Sequence, residues 1–261
     1  GQMELMTDPI EGPDVYCPAC GYNLRGLPVL RCPECGGDFE DRRHLLNAAK
    51  PKGSVWNLVL GDRNFWGIAL PRFLAEPAWQ FFSYWIVMYM MDVKGINLKQ
   101  VAYFLWVPFL AADVGSFVGG MLSPFYQRLG MPLLNARKLA FLSGAIMMPA
   151  LLMVLKAPTP GWAIFWFCFG PFGHNIIASV VLTLPADLFP KRAVATANGL
   201  SGCAGYIGGM LFTKMVGMIV ASTHNYVPIF CAMAVLDLIG AGILFAMIRK
   251  PGTSQTVEVT A

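Results

Sequence analysis

Charge is what this sequence has least of. Asp, Glu, Lys and Arg make up 13% of its 261 residues, against 56% hydrophobic residues, whereas ordinary soluble domains carry roughly 25% charged residues. Together with a mean hydropathy of +0.55, that scarcity excludes an ordinary soluble domain and indicates a membrane protein. A Gly-rich phosphate loop is missing, and so is a convincing pairing of nucleophile with base. No catalytic residue is therefore expected, and the chain is not read as an enzyme. The net charge of +4 does not imply nucleic acid, because most of the Lys and Arg fall in loops, where they set orientation. A charged start followed by a short apolar stretch and a small-residue cleavage site is also lacking, so no signal peptide is expected. The chain opens on Gly1 with a polar, acidic stretch to Gly12. A removed initiator methionine, a cloning scar or the later part of a longer chain would each give that start.

Long apolar runs are abundant instead. Six segments, Phe65–Met91, Gln100–Ser123, Lys138–Leu155, Trp162–Leu184, Val194–Val220 and Tyr226–Ile248, are each long enough to cross a bilayer, which takes about 20 residues of helix. Lipid cannot satisfy an open strand edge, so the runs are predicted to be helices. Gly115 and Gly119, Gly205 and Gly209, and the run Gly199, Gly202, Gly205, Gly208 predict helices whose backbones approach closely.

The cysteines fall into two groups. Cys17-Pro-Ala-Cys20-Gly and Cys32-Pro-Glu-Cys35-Gly form paired knuckles, whereas Cys168, Cys203 and Cys231 are scattered in apolar segments. Four thiolates in two C-x-x-C turns suit tetrahedral zinc, and the glycine after each pair lets the turn tighten around the metal. With all four positions closed by Cys17, Cys20, Cys32 and Cys35, the expected zinc is structural and would supply most of the folding energy of so small a module. Two disulfides are the alternative, and they need an oxidising compartment.

The expected fold is an all-α membrane protein: six transmembrane helices preceded by a small zinc ribbon. Residues 1–13 are assigned to a disordered tail, 14–40 to the ribbon, 41–63 to a cytoplasmic linker, 64–250 to the six-helix domain and 251–261 to a second disordered tail. Arg42, Arg43, Lys50, Lys52 and Arg63 flank the first span; Arg128, Arg137, Lys138, Lys191, Arg192, Arg249 and Lys250 sit in loops on the same side. Basic residues concentrate on the cytoplasmic side, so both termini are predicted to be cytoplasmic in a multi-pass protein.

Ionisable groups inside the spans are costly in lipid and mark candidate functional positions. The first span reads Pro71-Arg72-Phe-Leu-Ala-Glu76-Pro77-Ala-Trp79. Arg72 and Glu76 are four apart and share a helix face, while the two prolines free nearby carbonyls. Arg72 offers a fork that matches a carboxylate, Glu76 adjusts charge or carries a proton, and Trp79 offers an apolar face to a sugar ring. A self-satisfied Arg72–Glu76 pair that locks the helix is the alternative. Asp113 is a second proton candidate, or a structural partner for an inward cation. His174, Asn175 and Asn198 are expected to face a cavity or to bond between helices. Lys214 and Asp237 are expected to pair across the last two helices.

A family resemblance rests on these same stretches. FGHNIIASVVLTLPADLFPKRAVATANGLSGCAGYIGGMLFTKMVG resembles the tenth and eleventh helices of hexuronate-type transporters in the anion:cation symporter branch of the major facilitator superfamily. RNFWGIALPRFLAEPAWQFFSYWIVMYMMDVKG is similar to their seventh helix, and PFLAADVGSFVGGMLSPFYQRLG to their eighth. The resemblance covers roughly Arg63 to Ile248. It implies proton-coupled uptake of sugar acids across a bacterial inner membrane by alternating access between two six-helix halves. Arg72 and Trp79 then fall in a helix facing the solute, and His174, Asn175 and Asn198 on helices that flank it. SPFYQRLGMPLLNARK is similar to a weakened form of the superfamily's loop motif, keeping Gly120, Arg128 and Gly130. Asp187 and Arg192 resemble the equivalent gate on the other side of the half. Only six helices are present, matching the second half of the family. The expected partners are accordingly a lipid bilayer, a small organic anion, and a second six-helix half or a second copy. A membrane-anchored zinc-ribbon scaffold that does not transport, or a truncated relic, are the competing readings.

Overall fold

The computed structural model describes residues 54–249 together with Cys17, Leu24, Arg31 and Cys32. The two tails, most of the linker and the remainder of the ribbon, Cys20 and Cys35 included, lie outside the described residues. Cys17 and Cys32, the first cysteine of each knuckle, are both buried.

Regular structure within residues 54–249 is helical. α1 spans Val55–Leu60, α2 Arg63–Asp92, α3 Leu98–Phe104, α4 Trp106–Arg128 and α5 Leu133–Ala145. A 3-10 turn at Met148–Leu151 leads into α6, Leu152–Lys156; α7 then covers Pro160–Leu188, α8 Lys191–Thr223 and α9 Val227–Met247. Asn97 starts α3 with a capping box: its side chain accepts the Gln100 N–H at 2.9 Å, and the Gln100 side chain accepts the Asn97 N–H at 3.0 Å, which satisfies two orphan donors at once. The predicted third span, Lys138–Leu155, is not one continuous helix. Pro149 has no N–H to continue the α ladder, and the chain tightens into the 3-10 turn there.

Among the described residues, five helical stretches are long and apolar enough to cross a membrane: Leu98–Arg128, Leu133–Lys156, Pro160–Leu188, Lys191–Thr223 and Val227–Met247. The first predicted span is present as α2, a helix of 30 residues. Arg72, Glu76, Gln80 and the two internal prolines dilute its hydropathy.

The chain divides into two compact units. One holds residues 1–62, 186–197 and 250–261; the other holds 63–185 and 198–249. The larger unit contains the helix packing that matters here. α2 runs along α9, and an aromatic cluster of Phe81, Phe82, Tyr89, Phe167 and Phe230 lies at its core. Edge-to-face contacts such as Phe81–Phe230 at 5.4 Å and Tyr89–Phe167 at 5.6 Å join α2 to α9 and α7, a favoured geometry for ring quadrupoles. At the end where α2 finishes, Tyr226 donates to Asp92 at 2.9 Å. The Lys94 ammonium donates to the Ala157 carbonyl at 2.8 Å there, and partial burial lowers its pKa. At the opposite end, Lys138 donates to the carbonyls of Phe245 and Ile248 and Arg63 to that of Ala246. These cations complement the negative end of α9.

The glycine spacing predicted close packing, and α4 against α7 provides it. A Cβ on Gly115 would collide with the Phe172 carbonyl, and one on Gly119 would lie 2.9 Å from the Ile176 Cα. Gly199, by contrast, has open space around it.

Candidate functional site

The site is built on the α2 segment that holds two prolines. Pro71 and Pro77 cannot donate to the carbonyls of Gly67 and Phe73, four residues earlier in each case. The freed Phe73 carbonyl lies against Gly208 of α8, where any side-chain carbon would strike it. Glycine therefore lets α8 approach α2 where the backbone ladder is interrupted.

That approach shapes the surroundings of Arg72. A Cβ on Gly205 would sit 3.1 Å from the Arg72 Cγ and 3.5 Å from Glu76 Oε2, and one on Gly202 would sit 3.6 Å from the guanidinium. The two glycines form a floor under the charged pair. Arg72 Nη1 donates to Ser201 Oγ at 3.3 Å, and the fully buried Ser201 donates in turn to the Asn198 carbonyl at 3.0 Å. One hydrogen bond to a neutral hydroxyl leaves most of the five guanidinium donors for other partners.

Arg72 and Glu76 line one hollow of about 50 Å³, together with Ala75 on α2 and His174, Ile177, Ala178, Val181 and Leu182 on α7. His174 is buried, and its Nδ1 has no hydrogen-bond partner. Its ring stacks on Trp79, centroids 5.6 Å apart and planes 16° from parallel. Trp79 meets Phe109 edge-on at 6.1 Å. The expectation that Trp79 turns an open face to a sugar ring therefore needs adjusting, since the His174 imidazole covers one face of the indole. Trp79 lies behind His174 and is not part of the hollow's lining.

The other expected residues are distributed unequally. Asn198 sits beside the hollow, where its Nδ2 donates to the carbonyl of the lining residue Leu182 at 3.3 Å and its Oδ1 is buried without a partner. Asn175 makes the interhelical bond: its Oδ1 accepts from Ser116 at 3.1 Å and its Nδ2 donates to Pro171 O at 3.0 Å. Asp113 stands on the exposed face of α4 and does not line the hollow. Arg128 ends α4 and borders a different, open depression of about 390 Å³ with Val118, Met121 and Phe125. Asp187 and Arg192 lie in the other unit. The expected Asp237–Lys214 pair does not form. Asp237 is buried with both carboxyl oxygens lacking a hydrogen-bond partner, and Lys214 is exposed.

Three groups escaped the sequence reading. Ser201 supports Arg72, while Ser116 and Ser179 stitch α4 to α7, Ser179 donating to the Ser116 carbonyl at 3.3 Å. Serines are common in apolar helices, so only their spacing from Arg72 and Asn175 in three dimensions identifies them. The glycine run did carry a signal, although it reads as helix packing rather than as room for a guanidinium.

Comparison with known proteins follows the same lines. Residues 33–213 match the model of a family described as the Major Facilitator Superfamily. The chain is 40% identical, over 85% of its length and 51% of the relative's, to a protein named "Hexuronate transporter" from Escherichia coli (strain K12). It is 44% identical, over 42% of its length and 31% of the relative's, to a "Galacturonate transporter" from Dickeya chrysanthemi. A "D-galactonate transporter" from Escherichia coli O6:H1 is 28% identical over 71% of this chain and 43% of the relative. The chain spans about half the length of the curated relatives it matches. The family and these names agree with the expectation of a transporter rather than an enzyme.

Proposed function

The chain belongs to the Major Facilitator Superfamily, and from that premise we propose that it forms one half of a transporter that carries sugar acids across the bacterial inner membrane. The observation that carries this reading is the hollow in which Arg72, Glu76 and His174 meet over a glycine floor. A guanidinium with most of its donors uncommitted is suited to hold a carboxylate bidentately. Glu76 shares that hollow, so an arriving carboxylate competes with it for Arg72. Protonation of Glu76 as the solute arrives is a simple means of linking solute binding to proton uptake, with Asp113 as the second proton candidate. The names of the relatives supply the solute class, sugar acids.

α2 serves as the sixth span in this reading, because its charged pair turns toward α7 and α8 rather than toward lipid. Both termini lie in the cytoplasm in this reading, which the basic residues flanking the spans support. Arg128, Asp187 and Arg192 act at the cytoplasmic gate. Cys17, Cys20, Cys32 and Cys35 hold a structural zinc, a role suited to the burial of Cys17 and Cys32. The missing cavity wall comes from a second six-helix half or from a second copy.

Uptake of labelled glucuronate into proteoliposomes that hold this chain together with a complementary half tests the proposal. Arg72→Ala is expected to lower uptake by on the order of a hundredfold, in keeping with the loss of a bidentate ionic contact. Uptake that persists at the unsubstituted rate would remove Arg72 from the site.

A further inference from the structure

The end of α9 next to Ile248 gathers positive charge from three directions. Arg63 on α2 donates to the Ala246 carbonyl at 2.9 Å, and Lys138 on α5 donates to those of Phe245 and Ile248 at 3.2 and 2.8 Å. Arg249 follows the helix directly; its backbone N–H donates to Asn64 Oδ1 at 2.9 Å and its side chain is exposed. Helix capping accounts for only part of this charge. A helix C-terminus carries roughly half a negative charge, so the three cations leave a surplus of about two and a half. Among the described residues no carboxylate pairs with Arg63, Lys138 or Arg249. Donors remain as well, because a guanidinium has five N–H groups and an ammonium three, of which Arg63 has used one and Lys138 two.

Apolar surface continues from the cluster toward the middle of the bundle. Trp66 and Leu70 are exposed one and two turns beyond Arg63 on α2, and Phe245 and Gly242 are exposed one and two turns before Arg249 on α9. The Lys138 ammonium lies 5.7 Å from the Phe245 ring centroid, within cation–π range, and a Cβ on Gly242 would meet nothing within 4 Å. Guanidinium and ammonium groups suit a phosphate, and basic clusters between membrane helices bind lipid head groups. A free anion would use the cations alone; an anionic lipid uses the cations and the apolar strip below them. We propose that Arg63, Lys138 and Arg249 bind the head-group phosphate of an anionic phospholipid in the leaflet at this end of the bundle, with its acyl chains against Trp66, Leu70 and Phe245. This site shares no residue with the lining of the hollow at Arg72, so it stands whichever solute the hollow takes.

Native mass spectrometry of the full chain, released from micelles doped with dioleoylphosphatidylglycerol or dioleoylphosphatidylcholine at equal mole fraction, tests the site. Phosphatidylglycerol is expected to stay bound and phosphatidylcholine to be lost. Arg249→Gln, at an exposed side chain beyond the end of α9, is expected to weaken phosphatidylglycerol about fivefold, the share of one basic residue near a lipid surface. Arg63→Gln should weaken it by a similar factor. Lys156→Gln removes one charge from an exposed position at the opposite end of the bundle and should leave the affinity unchanged. Equal retention of the two lipids, or equal weakening by Lys156→Gln, would reduce the three cations to caps and orientation signals and overturn the site. Thermal unfolding in the same micelles separates a lipid from a free anion. Phosphatidylglycerol should raise the midpoint and inorganic phosphate at the same concentration should not; an equal rise with phosphate would overturn the assignment to a lipid.

Discussion

Arg72 depends on small neighbours. Gly202 and Gly205 leave space for its stem and guanidinium, and Ser201 accepts from Nη1 at 3.3 Å. A hydrogen bond to a charged group contributes about 1.5–3 kcal/mol at good geometry, and this long one stands at the lower end. Ser201→Ala is therefore expected to raise the KM for uronate uptake roughly tenfold while leaving the helices folded, as kinetics and circular dichroism on the same preparation would show. An unchanged KM would mean that Ser201 does not orient the guanidinium. His174 illustrates a different dependence. Its ring is fixed by the Trp79 stack at 5.6 Å while its Nδ1 stays unsatisfied. A buried polar atom without a partner is unfavourable, and an arriving polar group at the hollow relieves it.

The helices depend on backbone contact as much as on apolar burial. α4 and α7 meet at Gly115 and Gly119, where a Cβ would press on the Phe172 carbonyl and the Ile176 Cα. Neither target is a flexible side chain that can move aside. Gly115→Leu is thus expected to separate the pair and destabilise the chain by at least about 1–3 kcal/mol, read as a lowered midpoint in thermal unfolding in detergent. At one end of α2, the bond from Tyr226 to Asp92 at 2.9 Å ties the helix to the start of α9. Tyr226→Phe should cost about 1–2 kcal/mol by the same measurement, since the acceptor is a carboxylate. Much of this architecture was legible in the sequence, because runs of about 20 apolar residues admit only helix in lipid and spaced glycines mark close crossings. The break at Pro149 was not, because a proline in a long apolar run is compatible with a kink as well as with a 3-10 turn. Within the site, Arg72 and Glu76 were legible from their i, i+4 spacing, and His174 from its place after Gly173. The stacking of His174 on Trp79, the support from Ser201 and the isolation of Asp237 were not legible, because they depend on which faces of α2, α7, α8 and α9 meet.

The whole molecule brings a different constraint. The chain spans about half the length of the relatives it matches, and its hollow has a volume of only about 50 Å³. Alternating access needs two bodies that rock around a shared site. One helical bundle can anchor an anion, yet it offers no second wall to exclude water or to move against. Polar side chains on α4, Asp113 and Ser116 among them, are exposed, and groups of that kind in a membrane face protein or a wet cavity rather than lipid. The chain by itself in proteoliposomes is therefore expected to show uronate uptake no faster than protein-free vesicles, and saturable uptake is expected to emerge when a complementary half is supplied. Initial rates of labelled glucuronate entry, measured across a range of concentrations for both preparations, check the expectation. Robust saturable entry with this chain alone would require the second wall to come from another copy, and crosslinking of the active vesicles should then reveal a dimer. If entry persisted while crosslinking found only monomer, the need for a second half would be refuted.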